Sequence, residues 1–199
     1  MIMKKTLFLL LVALLTTCCL KAQEQGDLNF SFLGGVILSD LTGSKDAETK
    51  VGVGYGINLF YGFTDLLAAG LDVSVDRLGA HSVVTDKNMN LRYISVTPTL
   101  KLYATKWLAF HAGPQFNFLN SARMNGISFW NQTRKFGVSL PVGVSFEPNL
   151  KLFDDDDTLI FDVRFQFGLT HANRSGIIAD DLHSNALMIS IGYKFNFLE

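Results

Sequence analysis

The stretch Val51-Gly52-Val53-Gly54-Tyr55-Gly56-Ile57-Asn58-Leu59-Phe60-Tyr61-Gly62-Phe63 decides the fold. Every odd-numbered position in it is large and apolar or aromatic, and every even-numbered one is glycine or asparagine except Phe60. Successive side chains of a strand point to opposite faces. The stretch therefore predicts a strand with one bulky apolar face and one face almost without side chains.

The same alternation recurs seven more times. Leu28, Phe30, Phe32, Val36 and Leu38 carry it before this stretch, and Leu67, Leu71, Val73 and Val75 directly after it. Then come Ile94, Val96, Leu100 and Leu102, followed by Leu108, Phe110, Phe116 and Phe118. Phe136, Val138, Leu140, Val142, Val144 and Phe146 make a sixth strand, and Leu159, Phe161, Val163, Phe165, Phe167 and Leu169 a seventh. Leu187, Ile189, Ile191, Tyr193, Phe195 and Phe197 make the eighth and last. Pro98, Pro114 and Pro141 fall inside these strands, lack the ladder donor, and are expected at bulges.

Connection lengths alternate. Polar loops are expected over Ser39 to Lys50, Gly79 to Asn90, Asn120 to Lys135 and Thr170 to Asn185. Short turns fall at Thr64-Asp65 and Ala104 to Lys106, with a longer acidic turn from Glu147 to Thr158. Short turns at one end and long loops at the other are the pattern of transmembrane barrels. The fold class expected is all-β, an eight-stranded antiparallel up-and-down transmembrane β-barrel, with both termini on the periplasmic, short-turn side.

A soluble lipocalin-like barrel would have the same period with its apolar face inward. Volume separates the two. The apolar face carries roughly forty bulky side chains, whereas an eight-stranded barrel is only just wide enough for its lumen to be filled by ordinary ones. The bulky face therefore points outward. The opposite face, with Gly52, Gly54, Gly56, Gly70, Gly113, Gly143, Ser74, Ser95, Ser139 and Ser145, suits a narrow bore.

Composition fits this picture. Charged residues make up 18% of the 199, below the roughly 25% usual for soluble domains. The formal net charge of -1 shows no basic excess, which sets nucleic acid aside as a partner. The longest charge-free run beyond the first residues, Trp107 to Ala122, contains glycine, proline and amides and is too short for a spanning helix of about 20 residues.

Lys4 and Lys5 precede the apolar run Leu7 to Leu15, and a short polar stretch ends at Lys21-Ala22, so residues 1–22 read as a secretory signal peptide and 23–199 as the barrel domain. A lipoprotein cut at Cys18 would be the alternative, but Thr17 is a poor residue before such a cut. Cys18 and Cys19 are the chain's two cysteines, so the mature chain has no thiol for a disulfide, metal site or nucleophile.

On the inward face fall Asp72, Asp76 and Asp162 against Lys101, Arg164 and Lys194, with His111, Gln115, Asn117 and Asn58 close in strand order. Enclosed charges must be paired and hydrogen-bonded, so the expectation is a salt-bridged plug with no continuous water path. His111 reads as a hydrogen-bonded lumen histidine. Tyr61, Phe63, Trp107, Phe110, Phe146, Tyr193, Phe195 and Phe197 fall near the short-turn ends as a periplasmic aromatic girdle, and Phe32, Phe116, Phe118, Phe136 and Phe167 toward the long loops.

Arg92-Tyr93-Ile94-Ser95-Val96-Thr97-Pro98, Lys101-Leu102-Tyr103 and His111-Ala112-Gly113-Pro114-Gln115 resemble the central strands of the PorT-like outer-membrane β-barrel family of Bacteroidota. Asp162-Val163-Arg164, Gly168-Leu169-Thr170 and Ile191-Gly192-Tyr193-Lys194-Phe195 are similar to its last two strands. The resemblance implies an outer-membrane barrel, in a family with a few members linked to protein secretion. The alternating end Ile191, Tyr193, Phe195, Phe197 also resembles the signal that the barrel-assembly machinery reads, with Leu198-Glu199 as a departure.

The resulting expectation is a non-enzymatic structural, binding or accessory barrel in contact with outer-membrane lipid and without a cofactor or metal. Phe129 and Trp130, with Met124 and Ile127, read equally as a contact for an outer-membrane protein partner or as a loop folded back over the barrel mouth. Two alternatives stand: a secretion-complex subunit, and a lipid A-modifying enzyme using His171, Ser175, Asp180, Asp181 and His183. His81 is placed with His171 and His183 in loops. The run Asp154 to Asp157 lacks the ligand spacing of a calcium loop and reads as a solvated acidic turn.

Overall fold

A computed structural model of the protein describes residues 26–42, 47–82, 87–124, 127–128, 135–148, 158–170 and 183–196. The expected leader, Phe129, Trp130, Asp154 to Asp157, His171, Ser175, Asp180, Asp181 and Phe197 lie outside the described residues.

The strands are β1 (Leu28–Thr42), β2 (Ala47–Gly62), β3 (Leu67–Ser82), β4 (Lys87–Thr105), β5 (Leu108–Ala112), β6 (Gln115–Met124), β7 (Ile127–Ser128), β8 (Phe136–Phe146), β9 (Thr158–Gly168) and β10 (His183–Asn196). All pairings are antiparallel. β5 and β6 both pair with β4 and β8 and form one stave, so the barrel has eight staves, and the short β7 folds back on the end of β6. The first and last staves pair from Asn29↔Asn196 to Thr42↔His183, which closes the sheet.

The alternation sorts the side chains as the volume argument requires. Val51, Leu100, Leu169 and Ile191 are more than half exposed on the outer face, whereas Ser95, Ser139 and Ser145 are buried. Phe60, the exception in the second strand, points inward and is 6% exposed. It packs with Ala68, Tyr103 and Ala109 at the short-turn end of the bore. Its cross-strand partner is Gly70, where a Cβ would run into the Leu59 carbonyl oxygen and lie 2.6 Å from Phe60 Cδ1. A bulky residue is tolerated inside because glycine stands opposite it.

Three expectations are corrected. The first concerns the long loops. Ser39 to Thr42 pairs with His183 to Ala186, Gly79 to Ser82 pairs with Lys87 to Asn90, and β6 runs on to Met124. His81 and His183 accordingly belong to strands. Polar residues there mark the exit from hydrocarbon rather than the end of hydrogen bonding. β1 to β4 are 15, 16, 16 and 19 residues long, against the roughly 9–11 that cross a bilayer, whereas β8 and β9 have 11 each. The barrel wall is tall on one side.

The second concerns the prolines. Val96↔Phe116 and Leu100↔Ala112 share one register, which sets Pro98 opposite Pro114 without an inserted residue. Two positions lacking donors face one another, and the ladder is interrupted at Gly113-Pro114 rather than bulged. Pro141 pairs in register with Gln166, and its carbonyl accepts from Gly113 N at 3.4 Å. Register shifts occur instead between Thr49 and Gly54, Arg92 and Tyr93, and Tyr103 and Thr105.

The third concerns Phe32, which lies toward the short turns: it pairs with Tyr193, and its ring is 6.3 Å from that of Phe195. The turns at that end are built by threonine hydroxyls. Thr64 Oγ1 accepts from Leu66 N and Leu67 N at 3.3 and 3.0 Å, and Thr105 Oγ1 from Trp107 N at 3.3 Å.

Gly70→Val should destabilise the folded barrel by at least about 1–3 kcal/mol, the usual cost of overpacking, and by more than Gly70→Ala, because the Leu59 carbonyl that the new Cβ meets first is held in the ladder. Urea unfolding in lipid vesicles measures both.

Candidate functional site in the barrel lumen

The inward positions collect three layers. Toward the end opposite the short turns, the hairpin end, lie apolar groups, Ile37, Leu78 and Ala186 with Tyr93 and Met188, and Leu91, Leu119 and Ala122 beside them. The Phe60–Tyr103 cluster occupies the short-turn end. Polar and charged side chains fill the space between.

Near the short turns, Glu147 is 2% exposed and is clamped by two lysines. Lys101 Nζ donates to Glu147 Oε1, and Lys194 Nζ donates to Oε2 at 2.7 Å. The Lys101 ammonium also lies 5.2 Å from the ring centroids of both Phe60 and Tyr103. Lys101 is on the fourth stave and Lys194 on the eighth, so the triad crosses the bore.

At mid-height, Arg164 Nη1 on β9 donates to Asp72 Oδ2 on β3 at 2.8 Å, joining staves on opposite sides of the barrel. Arg164 Nε lies 3.5 Å from Asp162 Oδ1, a charge contact without hydrogen-bond alignment, so both atoms lack a hydrogen-bond partner. With its amide nitrogen turned toward Asp72, Asn58 donates to Oδ2 at 3.1 Å. Asp162 Oδ2 meets His111 Nε2 at 2.6 Å and accepts from Ser145 Oγ at 3.0 Å.

Higher still, hydrogen bonds run around the wall. Asp76 Oδ2 accepts from Ser74 Oγ at 3.0 Å and lies 2.8 Å from Ser95 Oγ, which is also 2.9 Å from Asn117 Oδ1. Ser95 has one hydroxyl proton and donates to one of these at a time. Gln115 Nε2 donates to Asn117 Oδ1 at 2.7 Å, Asn117 Nδ2 to Ser139 Oγ at 2.8 Å, and Gln166 Nε2 to the same hydroxyl at 2.9 Å.

The lumen residues read from the sequence, Asp72, Asp76, Lys101, His111, Asp162, Arg164 and Lys194, all face this interior. Glu147 escapes that reading, which places it in the acidic turn. A signal for it exists: it continues the inward series Ser139, Pro141, Gly143, Ser145 by one more step of two. Counting it, four carboxylates face three permanent cations, with His111 beside Asp162.

Among the described residues of the lumen, Ser145 is not placed for activation as a nucleophile. Activation of a serine needs its hydroxyl on a histidine that a carboxylate orients, and here Ser145 and His111 both approach the same Asp162 oxygen. The void beside His111, Asp162 and Arg164 is about 10 Å³, at the lower bound for one water molecule. Among the described residues no group of three or more His, Cys, Asp or Glu could hold a metal.

The aromatic side chains near the short turns pair edge to face: Tyr61 with Phe63 at 5.2 Å, Trp107 with Phe146 at 5.3 Å and Tyr193 with Phe195 at 4.9 Å. Toward the other end Phe136 lies 5.5 Å from Phe118 and 6.3 Å from Phe116.

A closed eight-stave barrel with an apolar exterior and a polar bore is the architecture of a small outer-membrane β-barrel protein. The family described as Outer membrane protein beta-barrel domain matches residues 10–195, and the chain belongs to it. Among solved structures it is similar to Ail, the attachment invasion locus protein of Yersinia pestis, crystallised with the heparin analogue sucrose octasulfate, at 16% identity over 86% of this chain and 100% of that one, with a TM-score of 0.53. Neisserial surface protein A is similar at 12% identity, 85% and 97% coverage and a TM-score of 0.54. The outer membrane protein AlkL in lipid bilayers is similar at 13% identity, 88% and 92% coverage and a TM-score of 0.53. At such identities the likeness is one of fold. No curated protein matches the sequence.

Glu147→Gln would leave two ammonium groups buried without their counter-charge and should cost about 3–5 kcal/mol. Replacing Lys101 and Lys194 by methionine in the same chain should restore most of the loss. The urea midpoint of the heat-modifiable folded band on gels reads both variants.

Proposed function

We propose that the chain is exported by its first 22 residues, loses them, and works in the outer membrane as a non-enzymatic barrel with a sealed bore. Its role is structural, binding or accessory, exercised through the outer wall and the hairpin end. The observation that carries this reading is the Arg164–Asp72 bond, which ties opposite walls together at 2.8 Å in a lumen that the Glu147 triad crosses a second time. In this reading Tyr61, Phe63, Trp107, Phe146, Tyr193, Phe195 and Phe197 form the periplasmic girdle, and the last strand addresses the chain to the assembly machinery.

Purified protein in planar bilayers should show no steady conductance. A steady large conductance from the folded protein overturns the sealed bore.

A specific feature favours an accessory role in a PorT-like, secretion-associated complex. The wall formed by β1 to β4 rises several residues above the span needed for a bilayer and offers protein surface there. Phe129 and Trp130, which follow β7, are the proposed contact with an outer-membrane protein partner. Pull-down from detergent-solubilised native membranes should lose that partner in the Trp130→Ala variant, and identical partner lists would reject this loop as the contact.

A further inference from the structure

The outer face changes character at the foot of the tall wall. On β3 the outward series Leu71, Val73, Val75 is followed by Arg77, and on β4 the outward series toward the hairpin reaches Ile94 and then Arg92. Val75 pairs with Ile94 and Arg77 with Arg92, so two guanidinium groups stand directly opposite one another, one step above an apolar pair. The next stave adds a third. The register shift between Arg92 and Tyr93 lets both Leu119 and Ala122 stay buried, at 6% and 1% exposure, and so turns Arg123 outward opposite Asn90.

Arg77 and Arg123 are exposed and Arg92 is half-buried. None of the three donates to a carboxylate among the described residues. Like charges directly opposite across a ladder are unfavourable, and an anion between them would remove that cost. One outward step below Arg92, about 6.7 Å down the strand, lies Ile94 with Phe118 across the ladder from it, 40% and 47% exposed. Beside Arg77 is a surface depression of about 250 Å³ walled by Val51, Gly52 and Val53 and rimmed by Asn90.

We propose that Arg77, Arg92 and Arg123 clamp the phosphate groups of an anionic glycolipid in the leaflet at the hairpin end, whose acyl chains lie on Ile94, Phe118 and Val53. Guanidinium groups match phosphate with paired, charge-assisted hydrogen bonds. Their long stems lie along the apolar strip while the charged heads reach the headgroup level. The apolar strip beneath commits the site to a lipid rather than a free phosphate. The inference rests on the outer-membrane reading and is independent of whether the bore conducts.

The test uses the mature full chain in phosphatidylcholine vesicles containing either diphosphorylated lipid A or the same lipid A after phosphatase treatment. Native mass spectrometry of the released protein counts retained lipid A. The wild type should retain the diphosphorylated form at least about tenfold over the dephosphorylated one, as expected from loss of a charge-assisted hydrogen bond. The Arg77→Gln/Arg92→Gln/Arg123→Gln variant, its folding checked by heat-modifiable migration, should lose that preference. Equal retention of both lipids by the wild type, or a preference that survives in the folded triple variant, overturns the clamp. Displacement of the lipid by glucosamine phosphate at equal concentration would assign the arginines to soluble anions and overturn the lipid commitment. Failure of the wild type to insert into either vesicle would instead overturn the membrane reading itself.

Discussion

A chain that crosses hydrocarbon by strands can leave no backbone donor or acceptor facing lipid, because each one costs several kcal/mol without a partner. Everything else in this protein follows from that constraint. It makes the first and last strands pair over nearly their whole length, from Asn29↔Asn196 to Thr42↔His183. It also gives the placement of the prolines its meaning. Pro98 and Pro114 stand opposite one another, so their two missing donors fall at one place in the ladder rather than at two.

Closure at eight staves creates the second problem, a narrow bore lined with charged groups that its own side chains must satisfy. The solution is layered. Apolar side chains stand toward both ends, and the charges are confined between the hairpin-side clusters and the Phe60–Tyr103 cluster. In such a desolvated layer an ion pair is weak evidence for net stability, but removal of one partner is severe. The crossings from Arg164 to Asp72 and from Lys101 through Glu147 to Lys194 therefore act as register marks. A slip of one residue in β3, β8, β9 or β10 would strand a charge against lipid.

Much of this is legible in the sequence because period 2 reports face directly. The strand number, the outward sense of the bulky face and the inward charges at Asp72, Lys101 and Arg164 follow from it. Three things are not legible. Polarity at Ser39 to Thr42 and Gly79 to Ser82 reports solvent, and solvent begins where the bilayer ends, not where hydrogen bonding does. Glu147 is hidden because its acidic successors outweigh its parity. Phe60 can be seen as an exception but not explained, since its tolerance depends on Gly70 across the ladder, and a single strand does not disclose its register.

The two faces of the wall divide the work. Inside, the ion pairs reach from stave to distant stave, and His111 and Ser145 both approach the same oxygen of Asp162. Outside, the bulge that keeps Leu119 and Ala122 buried also turns Arg123 outward, opposite Asn90 and diagonal to Arg92. A sheet can satisfy the core by such a shift only where the surroundings accept the residue it exposes. Three guanidinium groups above an apolar strip are a poor surface for water or hydrocarbon alone, and a suitable one for the boundary between them, where phosphate and acyl chain belong to the same molecule.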